Sequence, residues 1–180
     1  MMKLLRIAML VSAASTLAHA QGSGPAPQPR TQSDYYVPLY GVTAGISLPV
    51  GRLATDNAAG YGVGGVVEYA VSGQPYSLRG ELLLQHFPVK SGRPLAYDVN
   101  LLSLGTNIVY RLDPVTKTFV TGGIAIYNAT KEGTRPGVNA GGGVEIPLTG
   151  FSAVAEARLH VMLADSRPIY SIPITVGVRF

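Results

Sequence analysis

The last twelve residues of the sequence, from Ile169 to Phe180, alternate between two chemical characters. Tyr170, Ile172, Ile174, Val176, Val178 and Phe180 share one parity, and Ser171, Pro173, Thr175, Gly177 and Arg179 share the other. A period of two places successive side chains on opposite faces of a β-strand, so this run makes a strand with one greasy face and one polar face. The pattern recurs along the chain, and a chain built from such repeats is confined to sheet.

Six further segments carry the alternation clearly. In 39–50, Tyr40, Val42, Ala44, Ile46 and Leu48 oppose Gly41, Thr43, Gly45 and Ser47. In 61–71 the apolar set is Tyr61, Val63, Val67, Tyr69 and Val71, and in 76–87 it is Tyr76, Leu78, Leu82 and Leu84. Segments 99–112, 137–148 and 151–162 follow the same rule, with Leu102, Leu104, Ile108 and Tyr110, then Val138, Val144 and Ile146, then Phe151, Leu159 and Val161 on their greasy faces. Segment 118–128 is ambiguous: Val120, Ile124 and Ile126 argue for one face, and Phe119 and Tyr127 for the other. Eight strands in series predict an all-β, eight-stranded antiparallel up-and-down barrel.

Composition bears on what surrounds that barrel. Hydrophobic residues make up 47% of the chain and charged residues only 13%, yet after the first twenty residues no apolar run reaches the length of a membrane-spanning helix. The apolar content is therefore carried by alternation, and a transmembrane β-barrel is the architecture that uses it. Without cysteine there is neither a disulfide nor a thiolate metal site.

The start of the sequence reads as a secretory leader. Residues 1–20 combine Lys3 and Arg6, an apolar stretch from Ile7 to Ala18, and the small-x-small site Ala18-His19-Ala20. Removal of Lys3 and Arg6 with the leader lowers the formal charge from +4 to +2, which argues against nucleic acid as a partner. Residues 21–38 hold Pro25, Pro27, Pro29 and Pro38 among Gly, Ser and Gln, a composition that reads as a flexible tail. The folded domain is expected over 39–180.

The connections alternate in length. Residues 72–75, 113–116 and 149–150 read as tight turns, and 51–60, 88–98, 129–136 and 163–168 as longer loops holding most of the free charge. With that orientation fixed, Tyr40, Tyr69, Tyr76, Tyr110, Phe151 and Phe180 lie on the apolar face at the short-turn end, and Tyr61 and Tyr170 on the same face at the other. These are two aromatic girdles. The run from Tyr170 to Phe180 extends about 33 Å, or roughly 25 Å after strand tilt, the height of a lipid-facing band.

Charges follow the opposite parity. Glu68, Glu81, Glu145 and Glu156, with Arg79, Arg158 and Arg179, all fall on polar faces. An eight-stranded barrel is filled by its own side chains, so an interior network of Glu68, Arg79, Glu81, Glu145, Glu156 and Arg158 is expected, with Gly and Ser making room and the lumen closed. Arg111, beside the Asp113 turn, is expected to snorkel toward the short-turn rim. Pro173 lies within the closing strand and predicts a bulge or frayed pairing there.

The leader, the segments 139–146 (Asn-Ala-Gly-Gly-Gly-Val-Glu-Ile) and 155–160 (Ala-Glu-Ala-Arg-Leu-His), and the closing Phe180 together carry a resemblance over 39–180. The chain resembles the small eight-stranded outer-membrane barrels of the OmpA/OmpX type. That resemblance implies an outer-membrane location, both termini on the periplasmic side, Phe180 as the signal read by the outer-membrane assembly machinery, a monomer, and a structural or surface-interaction role without cofactor or metal. It specifies an architecture and no activity; the peptidoglycan-binding domain of two-domain members is absent from the pattern.

Two other functions stay open. Some small barrels modify lipid A with a Ser, a His and a carboxylate near the outer rim; His160, followed by Asp165 and Ser166, is the candidate, against an imidazole paired in the interior. His86 has the lipid-facing parity and reads as a rim residue. Alternation alone does not distinguish inside from outside, so a soluble barrel with apolar faces turned inward around a ligand is the third reading. The loop cations Arg93, Lys131 and Arg135 are expected to meet the phosphates of lipopolysaccharide, each exposed pair being weak.

Overall fold

The computed structural model describes residues 38–71, 74–93, 95–113, 116–164 and 167–180. The expected leader, and the tail up to residue 37, lie outside the described residues. Eight strands follow one another: β1 (Leu39–Val50), β2 (Gly60–Ala70), β3 (Tyr76–Phe87), β4 (Val99–Asp113), β5 (Thr118–Ala129), β6 (Gly133–Leu148), β7 (Phe151–Met162) and β8 (Ile169–Arg179). Each pairs antiparallel with the next, and β8 returns to β1, closing an up-and-down barrel. Among the described residues the one helix is short, α1 (Arg52–Asp56), between β1 and β2.

Closure fixes the stagger. From Ser171 the register passes strand by strand through His160, Asn139, Gly123, Asn107, Arg79 and Glu68 to Leu39, whereas the direct β1 partner of Ser171 is Pro49. The offset is ten residues. With eight strands a stagger of this order tilts them by ~40° and leaves a lumen that side chains fill. Phe180 and Tyr40 exchange both backbone hydrogen bonds at 2.9 Å, carrying the closing seam to the last residue.

The two faces divide as the alternation requires. Val42, Ile46, Val63, Leu82, Leu104, Ile108 and Val176 are exposed on the outer wall, while Glu68, Arg79, Glu156 and Arg158 are buried inside. β5 resolves in favour of Val120, Ile124 and Ile126 outside, with Phe119 and Tyr127 buried in the lumen. Glycine makes room for those two rings. A Cβ on Gly137 would lie 2.6 Å from the Tyr127 ring, and one on Gly143 would lie 2.8 Å from Phe119.

The lumen is layered. Phe87, Leu101, Tyr127, Met162 and Ile169 pack beneath Leu53 of α1 at the long-loop end, and Val109, Phe119 and Val154 pack at the other. Polar and charged groups lie between. The interior is thus more apolar than a lining of Gly and Ser, because the inward parity of β3, β4 and β7 also carries large side chains.

One local expectation changes and a second is narrowed. The third outer connection is no longer loop: β5 and β6 extend to pair Ala129 with Gly133, leaving residues 130–132 as a tight turn. Lys131 and Gly133 take φ of 64° and 71°, the left-handed region that such hairpins use. Of the two outcomes expected at Pro173, the structure has the frayed pairing and not the bulge. The residue keeps register opposite Ser47, but on its other side Arg158 and Leu159 lack partners opposite Pro173 and Ile172, with unchanged register above and below. The missing donor interrupts one ladder only.

Candidate functional site

Strands on opposite sides of the barrel bring four carboxylates and four guanidinium groups together in the lumen. Arg79 on β3 donates Nε to Glu68 Oε2 at 3.1 Å and Nη1 to Glu156 Oε2 at 2.8 Å. Arg158 on β7 donates to Glu81, and its Nε lies 2.9 Å from Glu156 Oε1. Glu145 lies 3.6 Å from Arg179 Nη1 and 3.9 Å from Arg111 Nη2. Ser77 donates to Glu68 at 2.5 Å. All six residues expected in the network are in it.

Two further arginines complete the network. Arg111 turns inward and donates Nη2 to Glu68 Oε1 at 2.8 Å, which corrects the expectation that it snorkels to the rim. Arg111 shares Oε1 of Glu68 with the Ser77 hydroxyl, while Arg79 and Arg179 approach Oε2, each at 3.1 Å. Arg179, on the closing strand, reaches Glu68 at 3.1 Å and Glu156 at 3.8 Å. Its polar-face parity was the signal for it. Arg79 and Arg179 also stack their guanidinium groups over Phe119, 5.4 and 5.5 Å from the ring centroid. With four charges of each sign the formal sum is zero, the condition under which buried charges persist.

Above the charges sits His160, 2% exposed, its Nδ1 3.3 Å from the Tyr127 hydroxyl and the two rings edge to face. It is an interior imidazole, away from the outer rim where lipid would react; Asp165 and Ser166 lie outside the described residues. His86 faces outward at the rim, its ring 5.2 Å from Tyr61 and its Nδ1 2.9 Å from Asn100 Oδ1. Among the described residues no group of His, Asp or Glu is arranged to hold a metal.

The girdle residues take their outer-wall positions. Tyr40, Tyr69, Tyr110 and Phe180 are exposed at the short-turn end, where Tyr76 and Phe151 are half-buried; Tyr61 and Tyr170 stand at the long-loop end.

The long-loop end is covered. Asn57, just after α1, donates Nδ2 to Phe87 O at 3.2 Å and to Tyr97 O at 3.0 Å, and pairs with Val89. An Arg52–Glu132 ion pair ties the first connection to the turn between β5 and β6, and Lys90 donates to Ala54 O. Arg93 lies 3.8 Å from Asp56, and Lys131 Nζ sits 3.9 Å from the Tyr97 ring centroid. Arg135 belongs to β6, opposite Tyr127, and not to a loop. These links bound a cavity of about 560 Å³ whose floor includes Leu53, Val99 and Ile169.

A closed eight-stranded up-and-down barrel with a greasy wall and a paired ionic core is the fold of the small outer-membrane barrels. Among solved structures the chain is similar to Neisserial surface protein A (NspA), at 15% identity and a TM-score of 0.62 over 79% of this chain and 95% of that one. It is also similar to Ail of Yersinia pestis in a phospholipid bilayer nanodisc (13%, TM-score 0.52, 79% and 99%) and to OprG of Pseudomonas aeruginosa (10%, TM-score 0.50, 81% and 97%). No family model and no curated protein matches the chain.

Proposed function

We propose that the chain is an integral outer-membrane protein with a filled lumen, without catalytic activity, whose outer end serves a structural or surface-interaction role. The observation that carries this reading is the inversion of the faces: isoleucine, leucine and valine outside, and Glu68, Arg79, Glu81, Glu156, Arg158 and Arg179 buried inside. A soluble ligand-binding barrel needs the reverse, because an outer wall of this kind would leave a large apolar surface in water. Lipid removes that penalty.

The partners we assign are lipid and lipopolysaccharide around the wall, with Arg93, Lys131 and Arg135 supplying cations at the outer end, and the assembly machinery through the β8 strand ending at Phe180. Both termini then face the periplasm, the protein is a monomer, and residues 1–20 are its leader. The lumen does not conduct, because the paired cluster crosses it between two apolar layers. Against a lipid A-modifying enzyme stands the position of His160, buried against Tyr127 inside the barrel.

The test is expression of residues 21–180 with and without detergent, comparing gel mobility before and after boiling. A β-rich species that needs detergent and changes mobility on heating is the expected result; a folded monomer in plain buffer would overturn it. In planar bilayers the same preparation should show no steady conductance. Replacing Arg93, Lys131 and Arg135 by Ser should lower lipopolysaccharide retention, and unchanged retention would remove that partner.

A further inference from the structure

The cavity at the long-loop end has the form of a small-molecule site. Its volume of about 560 Å³ falls within the range of ligand pockets, and the mouth of a barrel is one of the places where such pockets form. Leu53, Val99 and Ile169 give it a floor of buried aliphatic groups. Beneath that floor Phe87, Leu101, Tyr127 and Met162 fill the lumen, so the cavity ends there. Its rim reaches solvent through the side chains of Arg52, Asp56 and Arg93.

Two ion pairs stand at that rim, and they differ. Arg52 and Glu132 are hydrogen-bonded to each other. Arg93 Nε and Asp56 Oδ1 lie 3.8 Å apart, within ionic reach and beyond a hydrogen bond, and among the described residues neither side chain has another polar partner. A guanidinium fork and a carboxylate side by side above an apolar floor match a molecule that carries an ammonium and a carboxylate side by side on an apolar body. Ammonium against Asp56 and carboxylate against Arg93 set four charges in alternation. A ligand with one charge meets its own sign instead: a cation on Asp56 lies beside Arg93, and an anion on Arg93 lies beside Asp56. Tyr97, half-buried, and Leu95, 96% exposed, add apolar wall above the floor, so a large side chain finds cover that a methyl group would not reach.

We infer that this cavity binds a free α-amino acid with a bulky apolar side chain, its ammonium on Asp56, its carboxylate on Arg93 and its side chain on Leu53, Val99 and Ile169. The inference rests on the outer-membrane reading above, which puts the cavity at the cell surface, and it gives the surface-interaction role a ligand class. With the floor closed, the site captures its ligand and does not pass it on through the lumen.

The chain contains no tryptophan, so L-tryptophan serves as both ligand and probe. Its fluorescence anisotropy is followed as residues 21–180, refolded in detergent, are titrated in, with boiled protein in the same detergent as the blank for micelle uptake. Saturable binding with a Kd of about 0.1 mM is expected, weakened about tenfold by Asp56→Asn and by Arg93→Gln in protein that keeps its heat-shifted gel mobility. The titration contains no lipopolysaccharide, so a loss with Arg93→Gln reads the cavity and not a lipid contact. N-acetyltryptophan and tryptamine, each lacking one of the two charges, are expected to compete about tenfold more weakly than L-phenylalanine, and glycine not at all. Unchanged affinity in either variant, or equal competition by the one-charge analogues, would overturn the zwitterion site; glycine competing as well as L-phenylalanine would overturn the apolar floor as part of it. No saturable signal from protein that shows the heat shift would overturn the site and leave the membrane reading standing. A protein that folds without detergent and binds tryptophan would keep the site and overturn the membrane reading.

Discussion

Arg179 Nη1 lies 3.1 Å from Glu68 Oε2, joining the next-to-last residue of the barrel to its second strand across the closing seam. Without Arg179 the interior holds four carboxylates against three guanidinium groups, so the closing strand supplies the charge that brings the core to neutrality. Arg179→Gln is expected to destabilise the barrel by about 3–5 kcal/mol, the usual effect of breaking one side of a buried pair. Urea unfolding from lipid vesicles measures it. Combining Arg179→Gln with Glu145→Gln should return part of that loss, and strict additivity of the two single effects would show that the charges are not coupled.

Depth along the wall separates lipid from water as the outer medium. Ile124→Lys, at mid-height of β5, is expected to lose about 2–4 kcal/mol, and Leu112→Lys, at the short-turn rim, about 0–1 kcal/mol. The readout is again the urea midpoint in vesicles. Equal and negligible effects at both positions would indicate that the wall faces water.

Gly137 gives up its side chain so that Tyr127 can occupy the lumen; an added Cβ also falls 2.1 Å from the Val161 carbonyl oxygen. Gly137→Ala should therefore destabilise by about 1–3 kcal/mol through overpacking and strand displacement. The fraction of protein with heat-shifted gel mobility after refolding is the measurement. Tyr127→Ala in the same background should recover part of the yield.

The Arg52–Glu132 pair across the covered end is partly exposed and should behave differently from the lumenal ones. Arg52→Ala is expected to change stability by less than about 1 kcal/mol. A loss as large as that of Arg179→Gln would mean that the outer cover, and not the core, holds the barrel.

Much of this architecture was legible before any coordinates. The outward parity of seven strands follows from Leu, Ile and Val recurring at every second position, and the six core charges from their opposite parity. β5 was not readable because both its faces are apolar. Phe119 and Tyr127 fill two ends of the lumen while Ile124 and Ile126 face out, and alternation carries no information where the interior is itself packed with rings. Arg111 misled by its neighbourhood: its closeness to a turn suggested the interface, whereas its partner Glu68 is 43 residues away in sequence and comes near only once β2, β3 and β4 have paired. The extra length of β6 was hidden by Lys131, Glu132 and Pro136, which look like a loop unless Ala129 and Gly133 are seen to pair.

The break opposite Pro173 has a mechanical meaning. The β1–β8 seam, where the two ends of the strand series meet, is hydrogen-bonded from Tyr170 through Phe180, whereas the ladder between β7 and β8 lapses beside Pro173. Under lateral force the wall would therefore begin to part between two strands that are neighbours in sequence, and the circle would hold longest where the chain had to close it.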